Sequence, residues 1–367
     1  MQEAVLVLAD GSVFKGISLG ATGIKCGELV FNTSMAAYQE IITDPSYSGQ
    51  IITFTYPHIG NTGINSLDKE SEKIHCLGVV IRDLPNLYSS WRAEKSLSDY
   101  LKENNVLGIA DIDTREITRR LRTHGSQNAC LMAGEIDIDK ALKMAKNPPK
   151  EDSVFEGAKK ITEYSGESFW DLKTNSYQKS QGDLKLLVYD FGIKNSQLRL
   201  LSYLGCKITI LPKNTSASDA LALNPDGIFL SNGAGNPEEF KKQIELSKIF
   251  IEKEIALFGH SLGGQILGLS AGAKSLKLKF GHHGSNHPIL DLNSKKFFIT
   301  SQNNGYVLDE RELPKNLIPT YKSLFDGSLM GFRLKDKPVF AFQGEPHLDD
   351  AKLIFSDFIK AMKEKRG

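Results

Sequence analysis

The sequence predicts an α/β protein of two domains, in which a mixed α and β domain precedes an open, doubly wound parallel sheet. Three observations lead to this prediction. The 367 residues exceed the usual size of one domain. From Leu184 onward, short apolar runs alternate with amphipathic helical stretches, as in a parallel sheet covered by helices on both faces. One of those runs, within residues 255–272, leads into a glycine-rich turn and a helix.

The first half of the chain consists of short apolar segments separated by turns, which is typical of strands. Asp113 precedes Ile117 and Leu121 as a helix N-cap would. Beyond residue 138, lysines mix with Asn, Pro, Ser and Gly, which indicates a helix and then an irregular linker. The domain boundaries that we predict are 1–150 for the first domain, 151–183 for the linker and 184–367 for the second domain. The predicted elements of the first domain are strands at 4–8, 28–31, 50–55 and 77–81 and a helix at 93–103.

The second half alternates strands and helices. The predicted strands are residues 186–189, 207–211, 227–230, 255–258, 276–280, 297–300 and 339–343. The predicted helices are residues 194–204, 216–223, 237–253 and 349–363. Ligands of such sheets bind at the carboxyl ends of the strands, where the turn containing Gly233 and Gly235 is expected. That turn lacks both the G-x-G-x-x-G pattern and a phosphate-loop lysine, so we do not predict a nucleotide site there.

The turn within residues 255–272 reads GHSLG, the G-x-S-x-G pattern of a nucleophile elbow. In an elbow, a strained turn leaves no room for a β-carbon on either side and exposes the middle side chain. The adjoining helix N-terminus offers free N–H groups to a developing negative charge. Ser261 therefore stands where a nucleophile would stand, although the same glycines would also suit a plain strand–helix joint.

Composition argues against several functional classes. The net charge of +1 gives no sign of nucleic-acid or membrane-surface binding. The four cysteines are scattered without a C-x-x-C pair, so we expect neither a zinc site nor a disulfide framework. The sequence contains no signal-peptide pattern and no apolar run of membrane-spanning length. We therefore expect a soluble, reduced, cytoplasmic protein.

Three histidines, His282, His283 and His287, lie in the segment GHHGSNHP between two predicted strands. Their density suggests a metal site, but neither a carboxylate nor a cysteine accompanies them in the segment. We interpret the segment as a tight structural loop, and we predict no metal in this chain.

Long motifs in both halves give a family resemblance. FNTSMAAYQEIITDPSYSGQIITFTYPHIGN from Phe31, GIADIDTR from Gly108, DGIFLSNGAGNP from Asp226, GHHGSNHP from Gly281 and KSLFDGSLMGF from Lys322 all resemble the small subunit of carbamoyl-phosphate synthase. The resemblance covers nearly the whole chain. It implies an N-terminal domain particular to that subunit, followed by a class I glutamine amidotransferase domain.

The resemblance also implies a function and a partner. Small subunits of this family hydrolyse glutamine and pass ammonia to a large synthetase subunit. The large subunit uses bicarbonate, ATP and Mg²⁺ to make carbamoyl phosphate for arginine and pyrimidine synthesis. The chain itself is then expected to bind glutamine but no cofactor. The glutamine-contacting positions of the family fall on Ser46, Gly233, Gly235, Leu262, Gln265, Asn303, Gly305 and Tyr306.

The chain departs from the family pattern at the catalytic residues. The family's elbow reads G-I-C-L-G-H-Q with a cysteine nucleophile, where this chain has Ser261. The family's last strand ends Q-G-H-P-E, where this chain exchanges imidazole and acid as Glu345 and His347. A serine hydroxyl ionises far less readily than a thiol and needs a well-placed base. A carboxylate is a weak base toward it, so we predict that glutaminase activity is lost or strongly reduced.

One alternative remains open from the residues. The string GHSLGG is also typical of serine lipases and esterases, which would use Ser261 with His347 and an acid. Those enzymes draw the acid and the histidine from separate loops, whereas Glu345 and His347 are two residues apart. We retain the esterase as the second hypothesis.

Overall fold

The computed structural model describes residues 2–149, 155–346 and 348–366, which divide into two compact units. The first unit comprises Met1–Phe155 with Lys279–Gly284, and the second comprises Glu156–Leu278 with Ser285–Gly367. The predicted boundary at 150/151 lies outside the described residues, and so does His347. The described part of the predicted linker belongs to the second unit from Glu156 onward and contains three short strands.

Within residues 2–149, the first unit contains seven strands and four α-helices. The strands are β1 (Glu3–Leu8), β2 (Val13–Ser18), β3 (Gly23–Asn32), β4 (Gln50–Phe54), β5 (Gly78–Val80), β6 (Leu107–Ala110) and β7 (Gln127–Ala133). The helices are α1 (Tyr38–Thr43), α2 (Leu97–Glu103), α3 (Thr114–His124) and α4 (Ile138–Lys146). As predicted, Asp113 caps α3, its carboxylate accepting a hydrogen bond from Glu116 N at 2.9 Å.

The strands of the first unit form a closed barrel in the order β1-β2-β6-β5-β4-β3-β7, and β7 pairs with β1 to close it. Successive side chains of β1 point to opposite faces of the strand and therefore pack into two different apolar clusters. Ala4, Leu6 and Leu8 join one apolar cluster. Val5 and Val7 face the opposite way and pack with alanines of α4.

One prediction about the first unit is wrong. Cys26 on β3 and Cys130 on β7 are directly opposite in the antiparallel register and form a disulfide. Their separation of 104 residues gave no local pattern in the sequence, because the barrel rather than a spacing motif brings them together. Cys76 and Cys206 are buried free thiols.

The second unit contains the remaining elements, except for residues 279–284 of the strand Ser275–Asp291, which belong to the first unit. Its strands are β8 (Thr162–Glu163), β9 (Glu167–Asp171), β10 (Ser176–Lys179), β11 (Leu184–Asp190), β12 (Cys206–Pro212), β13 (Gly227–Leu230), β14 (Ala256–His260), β15 (Ser275–Asp291), β16 (Phe297–Leu308), β17 (Leu317–Ser323), β18 (Leu329–Leu334), β19 (Val339–Phe342) and β20 (Glu345–Pro346). Its helices are α5 (Asn195–Tyr203), α6 (Ala217–Ala222), α7 (Lys241–Glu252), α8 (Leu262–Ser270), α9 (Leu348–Ile354) and α10 (Ser356–Arg366).

The main sheet follows the order β20-β16-β15-β17-β18-β19-β14-β13-β11-β12-β8, and its central strands β12, β11, β13, β14 and β19 are parallel. Successive residues of β11 face opposite layers. Tyr189 shares a core with Phe250 of α7 and Ile266 of α8. Val188 shares the other core with side chains of α5 and α10. Helices therefore cover both faces, which confirms the doubly wound α/β prediction.

Three local predictions need correction. The segment predicted as a tight loop at 281–288 lies within the long strand β15. The helix predicted at 93–103 begins at Leu97, because Ser96 caps it by accepting a hydrogen bond from Asp99 N. The terminal helix predicted at 349–363 is divided at Phe355 into α9 and α10. Among the described residues, no helix is long and apolar enough to cross a membrane.

Candidate functional site

The strand–turn–helix prediction around Ser261 is confirmed. Ser261 lies between β14 and α8, and its backbone has φ 48° and ψ −113°. A positive φ is uncommon for a residue with a side chain and costs about 1–3 kcal/mol. Its N–H donates to the carbonyl of Phe342 on β19 at 2.9 Å, which fixes the turn against the neighbouring strand.

The glycines of the turn are required by close backbone packing. A β-carbon on Gly259 would lie 2.6 Å from the carbonyl oxygen of Gly263. A β-carbon on Gly263 would overlap the carbonyl oxygen of Leu230 on β13. Both positions therefore exclude any larger residue. The first residues of α8 can thus lie directly against the end of β13.

A chain of amide groups reaches the Ser261 hydroxyl. Gln343 Nε2 donates to Ser261 Oγ at 2.9 Å. Gln265 Nε2 on α8 donates to Gln343 Oε1 at 3.0 Å and to the carbonyl oxygen of Tyr306 at 2.7 Å. An amide N–H cannot accept a proton, so Gln343 cannot act as the general base for Ser261.

Glu345, the residue at the predicted base position, is paired with a different group. It lies on β20, and its carboxylate forms a salt bridge with the ammonium group of Lys194, the N-cap residue of α5. The Lys194 side chain is only 4% exposed, against 32% for Glu345. A buried ammonium requires a counter-charge. Among the described residues, Glu345 makes no hydrogen bond with Ser261.

His260 was not singled out by the sequence analysis, although it immediately precedes Ser261. Its ring is buried, its Nε2 lies 2.9 Å from the carbonyl oxygen of Gly344, and its Nδ1 contacts Gln197 Nε2. Burial, together with the nearby charge of Lys194, lowers the pKa of His260 to about 3. The imidazole is therefore neutral, with the proton on Nε2 donated to Gly344.

This histidine does not replace the missing base. In a strand, successive side chains alternate between faces. The His260 ring accordingly lies against Phe229 on β13, with ring centroids 6.3 Å apart, rather than beside Ser261. The sequence signal that would have found it is a histidine ending an otherwise apolar buried strand, where its ring must find polar partners.

Four of the predicted glutamine-contacting residues form two contacting pairs in the second unit. Gln265 donates to the Tyr306 carbonyl, and a Cδ atom of Leu262 lies 2.9 Å from where a β-carbon on Gly233 would be. Gly235 has φ +109°, and Asn303 and Gly305 lie on β16. Ser46 belongs to the first unit, where its N–H donates to Asp44 Oδ1 at 2.8 Å.

Two of the three clustered histidines, His283 and His287, pack against aromatic rings. The backbone carbonyl of His283 accepts a hydrogen bond from Thr33 N at 3.3 Å, and its ring packs 6.1 Å from that of Tyr47. The His287 ring packs edge-on to Phe325, with centroids 5.0 Å apart. Within the described part of the chain, no group of three or more His, Cys, Asp or Glu residues is placed to hold a metal ion.

Comparisons with known proteins agree with the motifs. The family model of the carbamoyl-phosphate synthase small chain, CPSase domain, matches residues 6–131, and that of class I glutamine amidotransferases matches residues 187–360. The carbamoyl phosphate synthase small chain of Vibrio cholerae is 52% identical, and the match covers 100% of both chains. The small chains of Vibrio parahaemolyticus and Pasteurella multocida are 52% and 49% identical, covering 98% and 99% of this chain and 98% and 96% of their own.

Solved structures add little. A glutamine amidotransferase from Thermotoga maritima matches 50% of this chain and 83% of its own at 17% identity and a TM-score of 0.36, too low to carry an argument. The comparisons give no support to the serine esterase hypothesis.

Proposed function

This chain belongs to the family of carbamoyl-phosphate synthase small chains, and from that membership we propose that it is a small subunit that binds glutamine but has lost the glutaminase step. The observation that carries the proposal is the salt bridge between Glu345 and the buried Lys194. Glu345, which occupies the family's base position, is therefore paired with the Lys194 ammonium group rather than with Ser261.

The loss follows from how cysteine amidotransferases work. A thiol attacks as a thiolate that an adjacent histidine helps to form and a helix N-terminus stabilises. Ser261 has the helix N-terminus but is hydrogen-bonded to an amide, and the nearby His260 is neutral and turned toward Gly344. Nucleophile and base act as a unit, so losing both costs about as much as losing the nucleophile alone, on the order of 10³-fold or more.

Glutamine binding is proposed to survive. Leu262 packs against Gly233, and Gln265 is hydrogen-bonded to the Tyr306 carbonyl. None of these four residues belongs to the altered triad. Asn303, Gly305, Gly235 and Ser46 complete the proposed set by their positions in the family motifs. Ser261 itself would lie beside the bound carboxamide without attacking it.

The partner is proposed to be the large chain of the same synthase, because the relatives are named small chains. The assembled enzyme would use ammonia, with ATP and Mg²⁺ bound by the large chain and no cofactor in this one. We place it in the cytoplasm, where arginine and pyrimidine synthesis use carbamoyl phosphate. Elemental analysis of the purified chain tests the cofactor assignment, and stoichiometric zinc would contradict it.

The decisive experiment reconstitutes the chain with its large chain. We expect co-purification, and we expect glutamine to support less than about one-thousandth of the carbamoyl phosphate synthesis that ammonium chloride supports. The control is Ser261→Ala, which should leave the glutamine rate unchanged if the serine is inert. Equal rates with glutamine and ammonium, abolished by Ser261→Ala, would overturn the proposal.

A further inference from the structure

We propose that Gln343 is a positioning residue that places an amide donor at Ser261 Oγ, where attack would need a base, and thereby leaves the serine without an acceptor for its proton. The inference rests on the proposed function, since it explains why the Ser261 hydroxyl would not act as a nucleophile although it lies at a nucleophile elbow. Gln343 is not one of the triad positions or the glutamine-contacting positions that the family motifs supplied.

The direction of the Gln343 amide is fixed by a chain of donors that ends on the backbone. The Tyr306 carbonyl can only accept, so the group of Gln265 that faces it at 2.7 Å is Nε2. That same Nε2 lies 3.0 Å from Gln343, which must present Oε1 to it. Gln343 Nε2 therefore faces Ser261 Oγ at 2.9 Å and donates to it.

The surroundings hold this arrangement in place. Gln343 N donates to the Met330 carbonyl at 2.8 Å, and Ser261 N donates to the Phe342 carbonyl at 2.9 Å. Ser261, Gln265 and Gln343 are each at most 9% exposed, so water competes little for these bonds. Neither amide can turn over without leaving two like groups facing each other.

In the described part of the chain, the ionisable groups near Ser261 are not placed to accept its proton. A cavity of about 20 Å³ beside Gln265 and Gln343 is otherwise lined by glycines and apolar side chains such as Leu308, Met330 and Phe342, and the described residues around it carry no ionisable group. Among the residues that the structure describes, Lys194 and Glu345 pair with each other, and His260 is turned toward Gly344.

A single atom change reverses the role of residue 343. In Gln343→Glu, one carboxylate oxygen still accepts from Gln265, and the other replaces the donor at Ser261 with an acceptor. Ser261 Oγ can then attack the phosphorus of a fluorophosphonate probe. The O–P bond forms, the P–F bond breaks with departure of fluoride, and the hydroxyl proton passes to the carboxylate.

The test measures fluorophosphonate labelling of the full chain, alone and with its large chain. General-base assistance is worth about 10²–10⁴-fold, so we expect Gln343→Glu to label at least about tenfold faster than the wild type. Its rate should rise with pH as the carboxyl group ionises, while the wild-type rate stays flat over that range. Ser261→Ala in the Gln343→Glu background must abolish labelling.

The matched control is Gln343→Met, which removes the donor without adding a base and should label no faster than about threefold above the wild type. Labelling of Gln343→Glu at the wild-type rate would overturn the proposal. So would equal labelling of Gln343→Met and Gln343→Glu, because the loss of the donor alone would then account for the gain.

A measurement on the wild-type amide keeps the test valid if Gln343→Glu does not fold. In protein labelled with ¹⁵N-glutamine, the side-chain amide signal lost in Gln343→Met belongs to Gln343. Ser261→Ala should shift that signal, and an unchanged signal would contradict the hydrogen bond. Glutamine turnover by the wild type would instead contradict the proposed function, so the two failures are distinguishable.

Discussion

The elbow at Ser261 and the strand end at Glu345 lie in one unit, yet they have changed to different degrees relative to the family pattern. The elbow keeps its backbone, because Gly259 and Gly263 are packed against neighbouring carbonyls and Ser261 N is bonded to Phe342. The strand end keeps its β pairing, with Glu345 opposite Ser301, but its side chain now neutralises Lys194.

The difference separates what a fold requires from what a reaction requires. The elbow geometry depends on two glycines and on main-chain hydrogen bonds. The glycine positions admit no larger side chain, but neither feature depends on which side chain residue 261 carries. Catalysis depends on which group can accept the proton of the nucleophile, and at the strand end the Glu345 carboxylate is paired with an ammonium group. The packing that forms the elbow is therefore separate from the groups that a reaction at Ser261 would need.

The largest expected effect is a loss of folding stability when a glycine of the elbow is replaced. Gly263→Ala places a β-carbon on the Leu230 carbonyl of the neighbouring strand, and both backbones are fixed by the sheet and by α8. We expect a loss of at least about 3 kcal/mol in the free energy of unfolding, or no folding, despite the better helix propensity of alanine. Urea unfolding of Gly263→Ala and of the wild type checks this.

Gly305→Ala is the matched control, because a β-carbon on Gly305 meets no atom within 4 Å. We expect a change of less than about 0.5 kcal/mol there. Equal stability of both variants would show that the elbow does not depend on this packing.

The second-largest expected effect is a loss of folding stability when Glu345 at the strand end is replaced. Glu345→Gln removes a carboxylate charge that pairs with the Lys194 side chain, which is 4% exposed. Breaking a buried pair costs about 3–5 kcal/mol, and the partial exposure of Glu345 reduces the expected loss to about 2–3 kcal/mol. Thermal unfolding measures it. Adding Lys194→Met to Glu345→Gln should recover much of the loss.

Glu254→Gln provides the comparison for that pair, since its bond to Lys337 lies at the surface, with Glu254 65% exposed. We expect its thermal unfolding to stay close to that of the wild type, because an exposed ion pair contributes little to stability. A Glu345→Gln variant as stable as Glu254→Gln would mean that the Lys194 charge does not need Glu345.

The smallest effect depends on pH. Burial lowers the pKa of His260 from 6.5 to about 3, so below pH 6.5 the unfolded chain binds a proton that the folded chain does not. The contribution of His260 is fully present above pH 6.5 and falls as the pH decreases toward 3. Between pH 7 and pH 5 the loss is about 2 kcal/mol.

His260→Ile, which introduces the family's residue, should remove this pH dependence, as measured by urea unfolding at pH 7 and pH 5. His124→Asn, which removes an exposed histidine at the end of α3, should keep the wild-type dependence. The account of His260 fails if His260→Ile and the wild type lose stability equally on acidification.

The sequence predicted the elbow well and the strand end poorly, for a physical reason. Gly259 and Gly263 stand next to Ser261 in the chain, and a short-range pattern therefore records their packing. The partners of Glu345 and His260 are Lys194 and Gln197, which lie 151 and 63 residues away and carry no local signature.

The other errors have the same origin. The bond between Cys26 and Cys130 comes from strand register in the barrel, which composition and spacing do not encode. The segment GHHGSNHP was predicted as a loop from its glycines and proline, but pairing within the sheet keeps it extended in β15.

The most direct test of the claim that the site lacks its base restores the nucleophile alone. Ser261→Cys returns a thiol to an intact elbow while Glu345 stays bound to Lys194. Glutamate release from glutamine, measured with the large chain present, should then rise less than about tenfold over the wild type, because the thiol still lacks its base. A rise of about 10³-fold or more would contradict the account, since it would show that the nucleophile alone had been missing.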